Sequence, residues 1–189
     1  MVKIINVKGR QVFDSRGNPT VEAEVFLDTG ISSIAISPSG ASTGAFEAHE
    51  LRDLNKNKFM GKSVNKALDN INKKIFKALK GLDPTDQKKI DDTLLSLDAS
   101  DNKTNLGANA TLAVSLANSK SAAKFLKKPL YENLGKSFSL PNPMMNIING
   151  GAHADNDLKI QEFMIRPDSS KNFMDAIEKC FLVIQNLKK

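Results

Sequence analysis

The sequence has a single cysteine, Cys180, and no long hydrophobic run. One cysteine cannot form a disulfide within the chain, which excludes the disulfide-stapled secreted domains. No segment approaches the ~20 consecutive apolar residues that a transmembrane helix needs. The first residues, MVKIIN, lack the apolar core of a signal peptide. We therefore expect a cytoplasmic protein without a membrane partner.

Aromatic residues are also scarce, with no tryptophan and one tyrosine. The net charge of +6 would be compatible with nucleic-acid binding, but few aromatic side chains are present to stack on bases. The densest basic stretch is the polar side of a segment with helical periodicity, and contains Lys73, Lys74, Lys77 and Lys80. A nucleic-acid surface would gather arginine and aromatic side chains there as well. We therefore interpret the stretch as a solvated helix face and expect no nucleic-acid partner.

The composition is that of a globular protein, with 40% hydrophobic and 25% charged residues. Its first 36 residues alternate between apolar and polar side chains, as strands do. Turn-forming residues separate the alternating runs at 14–19 and at Thr29-Gly30, and Pro38 follows the third run. This pattern predicts a three-stranded antiparallel meander.

The middle of the chain changes to a helical period. Apolar residues at helical spacing predict a helix over residues 64–79 that ends at Gly81. Asp83 as N-cap and Pro84 at the first helical position predict the start of a second helix. Its predicted inward residues are Ile90, Leu94 and Leu97.

A third helix is predicted over residues 108–126, and it is rich in alanine and serine. Small side chains on several faces allow other backbones to approach closely. We therefore expect this helix to lie at the centre of the helical layer.

The pattern changes again after residue 141. A buried strand is predicted at 144–148, a second strand at 159–166, and a helix from about Ser170. The predicted inward residues of that helix are Phe173, Ile177, Phe181 and Ile184. We predict two domains, 1–135 and 141–189. The second is far shorter than a closed (β/α)₈ barrel, which takes about 250 residues, so we expect a sheet with one face uncovered and a final helix that is cut.

Two loops could carry chemistry. The first, residues 38–44, offers hydroxyl groups between Gly40 and Gly44 that could contact a phosphate or a hard metal ion. Taken alone this is a weak signal, because Ser, Thr and Gly are ordinary loop residues and no lysine follows as in a phosphate-binding P-loop. Composition favours a plain loop.

The second loop, residues 149–157, places His153 beside Asp155 and Asp157 and precedes Gln161 and Glu162. The histidine and aspartates have side chains that can ligate a metal ion, and the glutamate could act as a general acid or base. A solvated turn with a hydrogen-bonded histidine explains the same residues equally well. The residues by themselves leave both interpretations open.

Several strings then match one family in order and spacing: VFDSRGNPTVE, PSGASTG, ELRD, LGANA, PLY, INGGAHADN and QEFMI. On these motifs the chain resembles the N-terminal part of enolase, the phosphopyruvate hydratase of glycolysis. The resemblance extends over about residues 4–166. It covers nearly the whole chain but less than half of a complete family member.

The resemblance implies an α+β N-terminal domain, a three-stranded antiparallel meander followed by helices, joined to the truncated start of an enolase-type (β/α)₈ barrel. It implies reversible dehydration of 2-phosphoglycerate to phosphoenolpyruvate with two Mg²⁺ ions per site. Divalent charge is needed because proton abstraction beside a carboxylate generates a doubly charged intermediate.

The resemblance also assigns roles to residues of the active site. Ser42 matches the serine of a mobile loop that completes the second Mg²⁺ ion, and Gly40 and Gly44 would be the hinges of that loop. His153 and Gln161 match substrate-contacting residues. Glu162 matches a substrate-binding, catalytic glutamate that handles the departing hydroxyl and water.

Arg10 and Glu22 match positions that form salt bridges across the family's dimer interface, which implies a homodimer for the complete protein.

Other catalytic groups of the family are missing. The carboxylates for the first Mg²⁺, the catalytic lysine, the partner glutamate and the phosphate-binding arginine lie in later barrel strands. We therefore expect this chain alone to be inactive. The alternative is a non-catalytic, enolase-derived interaction module that binds a partner through its uncovered sheet and last helix.

Overall fold

The computed structural model describes residues 1–40, 43–136 and 139–189. They divide into two units, each with its own internal packing. The first contains Met1–Ser39 and Gly44–Lys136, and the second contains the described residues of Gly40–Thr43 and Ser137–Lys189. No described helix is long and apolar enough to cross a membrane.

Three antiparallel strands in the order β1-β2-β3 form the sheet of the first unit: β1 (Ile4–Phe13), β2 (Pro19–Leu27) and β3 (Ser32–Ile36). The predicted meander is confirmed. The central strand places Val21, Ala23 and Val25 fully in the core. The turn into β2 is held by Asp14, whose Oδ1 accepts the backbone N–H groups of Arg16 and Asn18.

The outer edge of β3 is covered by lysine side chains. Alternate residues of a strand direct their backbone groups to opposite sides. Ile31 O accepts from β2, so Ser32 and Ile34 direct their carbonyls away from it. Lys120 Nζ donates to Ile34 O, and Lys124 Nζ donates to Ser32 O, each over 3.3 Å. Ammonium groups thus occupy acceptors that another strand could pair with.

The helical segments are α1 (Asn65–Asp69), a π-helical stretch (Asn70–Ile75), α2 (Phe76–Leu79), α3 (Gln87–Asp98), α4 (Ala108–Phe125) and α5 (Leu130–Leu134). The helix predicted over 64–79 therefore contains a π segment. This segment packs on β1, where Ile71 would be 3.1 Å from a Cβ at Gly9. Asn72 bonds both the N–H and the C=O of Gly9, at 2.8 and 3.3 Å.

The predicted start of the second helix is wrong by three residues. Asp83 uses its Oδ1 to bind the N–H and hydroxyl of Thr85, which forms a turn before the helix. Asp86 caps α3 instead, by accepting from Lys89 N over 3.0 Å. Both Asp83 and Asp86 could cap the helix, but the side chain of Asp83 is bonded to the nearby Thr85 instead. Of the predicted inward residues Ile90 and Leu94 are buried, whereas Leu97 is 36% exposed.

Helix α4 lies at the centre of the first unit, as its small residues predicted. Ala110, Ala113 and Ala117 are fully buried, and the helix contacts both β2 and β3. Ser121 Oγ donates to Val25 O over 3.0 Å, which ties the helix to the central strand.

The loop before α4 is held by Asp98, which is 1% exposed. Its carboxylate accepts Leu106 N over 2.6 Å and Ser100 N over 3.2 Å, and it also accepts the Ser100 hydroxyl. No cation is bonded to it among the described residues, so backbone and hydroxyl donors satisfy a buried carboxylate.

The second unit contains an antiparallel strand pair and one long helix: β4 (Met145–Asn149), β5 (Glu162–Ile165) and α6 (Phe173–Leu187). Its β5 is shorter than predicted. The strand predicted at 144–148 is present, but the prediction that it is buried is wrong, because Ile148 is 36% exposed and Met144 61%. Among the described residues β4 pairs only with β5.

Helix α6 begins three residues later than predicted, because Asn172 caps it by accepting Asp175 N over 3.0 Å. Its buried residues are Ala176 and Cys180. Two predicted inward residues, Phe173 and Phe181, are exposed, so that part of the prediction is wrong. Cys180 is buried, as expected for a core cysteine.

Candidate functional site

Three of the predicted site residues meet at the start of β5. His153 Nδ1 lies 2.8 Å from Glu162 Oε1, and His153 Nε2 lies 2.8 Å from Gln161 Nε2. The side chains of His153 and Glu162 are only 23% and 29% exposed. The histidine is therefore bonded through both ring nitrogens and holds a fixed orientation.

These two contacts select one tautomer of the imidazole. Gln161 Nε2 can only donate, so His153 Nε2 accepts and the ring proton lies on Nδ1. That proton is donated to the Glu162 carboxylate. A neutral imidazole and an ionised glutamate satisfy both contacts.

Gly150 and Gly151 make this arrangement possible, because they let their backbone approach the backbone of residues 158–161 closely. A Cβ at Gly150 would lie 2.5 Å from Ile160 O and 2.6 Å from Leu158 Cβ, so no larger residue fits without movement. Gly151 has a φ of +52°. Its N–H donates to Leu158 O, and Gly150 N–H donates to Gln161 O, which folds a short 3₁₀ turn ending at His153 back onto β5.

The two aspartates of the loop take no part in this arrangement. Asp155 and Asp157 are exposed, while Asn156 between them shapes the turn. Asn156 donates to Asn149 O and accepts Leu158 N, each over 3.0 Å. A solvated turn here was one of the two interpretations left open by the sequence, but the bonds made by Asn156 were not predicted.

A Mg²⁺ site needs several oxygen ligands close together. Across residues 1–40, 43–136 and 139–189, no three His, Cys, Asp or Glu residues lie close enough to hold a metal ion. The described side chains therefore do not by themselves fit either of the expected Mg²⁺ ions. Ser42, the predicted metal contact, lies outside the described residues.

Both predicted hinge glycines, Gly40 and Gly44, are described. Gly44 is not among the glycines with positive φ, so nothing in its backbone requires glycine in this conformation. Gly44 N–H donates to Glu47 Oε2 over 2.9 Å. Their role as hinges stays a prediction.

Glu50 and Arg52 lie close to this loop in the chain, and the sequence did not single them out as functional residues. Ser39 Oγ donates to Glu50 Oε2 over 3.2 Å, and Glu50 Oε1 pairs with Arg52 at 2.5 Å. Arg52 also donates to the carbonyls of Pro19 and Lys62. The ELRD motif that carried part of the resemblance thus joins Ser39 to β2 through Glu50 and Arg52.

Arg10 and Glu22, the predicted dimer-interface residues, are bonded to each other within the chain. Arg10 Nε lies 2.8 Å from Glu22 Oε1, and Arg10 Nη2 lies 2.8 Å from Glu24 Oε2. The hydrogen bonds that Arg10 donates to Glu24 and Glu22 raise the pKa of Arg10 above its ordinary value. Burial acts to raise the pKa of Glu24, but hydrogen bonds from Arg10 and Ser32 hold it below the usual value.

Comparison with known proteins gives consistent matches to both units. Residues 4–134 match the family model of the enolase N-terminal domain, and residues 137–189 match that of the enolase C-terminal TIM barrel domain. The enolase of Pelagibacter ubique (strain HTCC1062) is 56% identical over 191 residues. That alignment covers 100% of this chain and 46% of the relative, so the chain spans about half the length of the curated relative it matches.

Proposed function

This chain belongs to the enolase family, and from that membership we propose that the complete protein catalyses reversible dehydration of 2-phosphoglycerate to phosphoenolpyruvate in glycolysis. The observation that carries the proposal is the contact of Glu162 with His153, and of His153 with Gln161. The chain supplies the N-terminal domain and the first strands of the barrel. The complete protein is a cytoplasmic homodimer that uses Arg10 and Glu22 at its interface.

Glu162 is the catalytic residue of this part of the site. In the hydration direction its carboxylate accepts a proton from the attacking water, and in the dehydration direction the protonated form gives one to the departing hydroxyl. His153 stabilises the ionised form by donating from Nδ1. Gln161 holds the imidazole in that tautomer, so the trio sets both the position and the charge of the acid–base group.

We propose that two Mg²⁺ ions serve the complete site and that Ser42 contacts the second. Because the described residues include no set of ligands for either ion, the roles derived for this chain are limited to substrate contact and proton transfer. For the same reason we propose that residues 1–189 alone do not turn over 2-phosphoglycerate.

The test is Glu162→Gln in the complete protein loaded with Mg²⁺. The amide keeps the size of the side chain but cannot transfer the proton, so kcat should fall roughly 10²- to 10⁴-fold. Formation of phosphoenolpyruvate is followed by its ultraviolet absorbance. Glu178→Gln, an exposed carboxylate on α6, is the matched control and should retain wild-type turnover.

Full turnover by the Glu162→Gln protein would refute the assigned role. A wild-type complete protein that binds neither 2-phosphoglycerate nor Mg²⁺ would refute the activity and favour the interaction module. Measurable dehydration by residues 1–189 alone would contradict the proposal that the chain is inactive.

A further inference from the structure

The connection between β4 and β5 contains an asparagine to which the proposed reaction gives no role. Asn149 and Glu162 face each other in the strand pair, and the chain between them carries His153. We name residues 149–158 the histidine loop. The two glycines described above hold its first half against β5 through backbone hydrogen bonds. The return of the chain from His153 to β5 is held by a side chain instead.

That side chain is Asn156, which bonds the backbone at both ends of the histidine loop. Its Nδ2 donates to Asn149 O, seven residues earlier, and its Oδ1 accepts Leu158 N, two residues later, each over 3.0 Å. The second bond alone is the ordinary local turn of an asparagine. The first bond crosses the loop, and it closes residues 149–156 into a ring that contains His153.

The closed ring matters because His153 lies on the loop, whereas both partners of its imidazole lie at the start of β5. Gln161 and Glu162 each approach one ring nitrogen at 2.8 Å. Hydrogen bonds of this length tolerate little displacement, so both form together only while the backbone of His153 keeps its place. Fixing that backbone costs conformational entropy, and a bond across the loop reduces the number of conformations that it can adopt.

We propose that Asn156 is a positioning residue, because it closes the histidine loop and so keeps the His153 imidazole within reach of Gln161 and Glu162. The proposal rests on the proposed function, in which the imidazole stabilises the ionised Glu162. Both side-chain bonds of Asn156 described above end on backbone atoms, so its effect on the reaction passes through His153. The competing account is a purely local turn, in which only the bond to Leu158 matters.

Two substitutions in the complete protein separate these accounts. Asn156→Ala removes both bonds. Asn156→Asp keeps an acceptor for Leu158 N, but an ionised aspartate cannot donate to Asn149 O and opposes it with another acceptor. The proposal expects the two variants to behave alike, whereas a purely local turn would leave Asn156→Asp like the wild type. Residue 156 is exposed, so both variants should fold, with an unchanged far-ultraviolet circular dichroism spectrum.

The matched control is Asn172→Ala. Asn172 belongs to the same unit and also uses its side chain to accept a backbone N–H, that of Asp175 at the start of α6. Its loss should lower the Tm, because a helix cap is removed. It should leave the imidazole of His153 unchanged, since Asn172 is not part of the histidine loop.

The first measurement is nitrogen NMR of the complete protein labelled with ¹⁵N-histidine, without substrate and above the pH range in which histidine is protonated. His153→Gln identifies the signals of His153. A proton fixed on Nδ1 gives two widely separated nitrogen shifts, and exchange between tautomers brings them together. In both Asn156 variants the ratio of the Nδ1-protonated to the Nε2-protonated form should fall roughly tenfold, as expected when hydrogen bonds are lost.

The second measurement is the kcat/KM for dehydration of 2-phosphoglycerate. Both Asn156 variants should lose about tenfold, because the imidazole is no longer held beside Glu162. In a His153→Gln background the same substitutions should change kcat/KM by less than about twofold, because the residue through which Asn156 acts is already absent. A general loss of stability would lower activity equally in both backgrounds.

Unchanged imidazole shifts in Asn156→Ala overturn the proposal, and so does a wild-type spectrum in Asn156→Asp, which favours the local turn. An equal loss of kcat/KM with and without His153 also overturns it. A wild-type complete protein without dehydratase activity refutes the proposed function instead. The imidazole spectra then decide separately whether Asn156 positions His153.

Discussion

Replacing Gly107 by alanine should destabilise the first unit much more than the same change at Gly81. Both glycines have a positive φ, +93° and +86°, so both substitutions impose backbone strain. They differ in the space around the new methyl group. Nothing lies within 4 Å of a Cβ at Gly81, whereas a Cβ at Gly107 would meet Leu51 Cβ at 2.6 Å.

The magnitudes follow from these two conditions. A residue held at an unfavourable positive φ costs about 1–3 kcal/mol, and this applies at both sites. At Gly107 the overlap must also push Leu51 away, which costs about 1–3 kcal/mol more as overpacking does. Movement of Leu51 further strains its two bonds to Asn109. We expect a loss of roughly 2–6 kcal/mol for Gly107→Ala and about 1–3 kcal/mol for Gly81→Ala.

Urea unfolding monitored by far-ultraviolet circular dichroism provides the measurement, with the two variants and the wild type at one temperature. The difference between the variants isolates the steric contribution, because the backbone contribution is common to both. Equal losses at the two positions would show that Leu51 yields without cost, and would refute the close packing of Leu51 against the start of α4.

Two further predictions concern charged side chains of the first unit. Burial acts to raise the pKa of Asp98, but hydrogen bonds from Ser100 and Leu106 hold it below the ordinary carboxyl value. Its stabilisation is present above pH ~4 and is lost as pH falls through the lower folded pKa. Asp98→Asn should therefore lower the free energy of unfolding by about 1–3 kcal/mol at pH 7. The difference in denaturation midpoint between the variant and the wild type should disappear in acid. A difference that stays constant with pH would contradict this. Replacing Lys120 and Lys124 by alanine should speed aggregation, measured by light scattering, because it uncovers the edge of β3. A double alanine variant of the exposed Lys74 and Lys77 loses the same charge and should not aggregate faster.

The predicted elements were most accurate where the information is local. Period-two alternation in residues 4–36 and the small residues of α4 depend on neighbours in sequence, and both predictions are confirmed. The start of α3 failed because Asp83 and Asp86 carry equal capping signals, and only the Thr85 contact distinguishes them. Phe181 was assigned inward by periodicity alone, which identifies a face of a helix without showing what covers it.

The residue types and motif order alone were enough to identify the family, the meander, the central helix and the residues His153, Gln161 and Glu162 as a group. All of these depend on patterns that a short stretch of chain displays without its partners. Tertiary structure decided which of the loop's polar side chains meet, and it paired His153 with Glu162 while leaving Asp155 and Asp157 exposed. It also decided the contact of Asn109 with Leu51 across 58 residues. Neither contact follows from local periodicity, because each forms only when folding brings residues that are not neighbours in sequence within hydrogen-bonding distance.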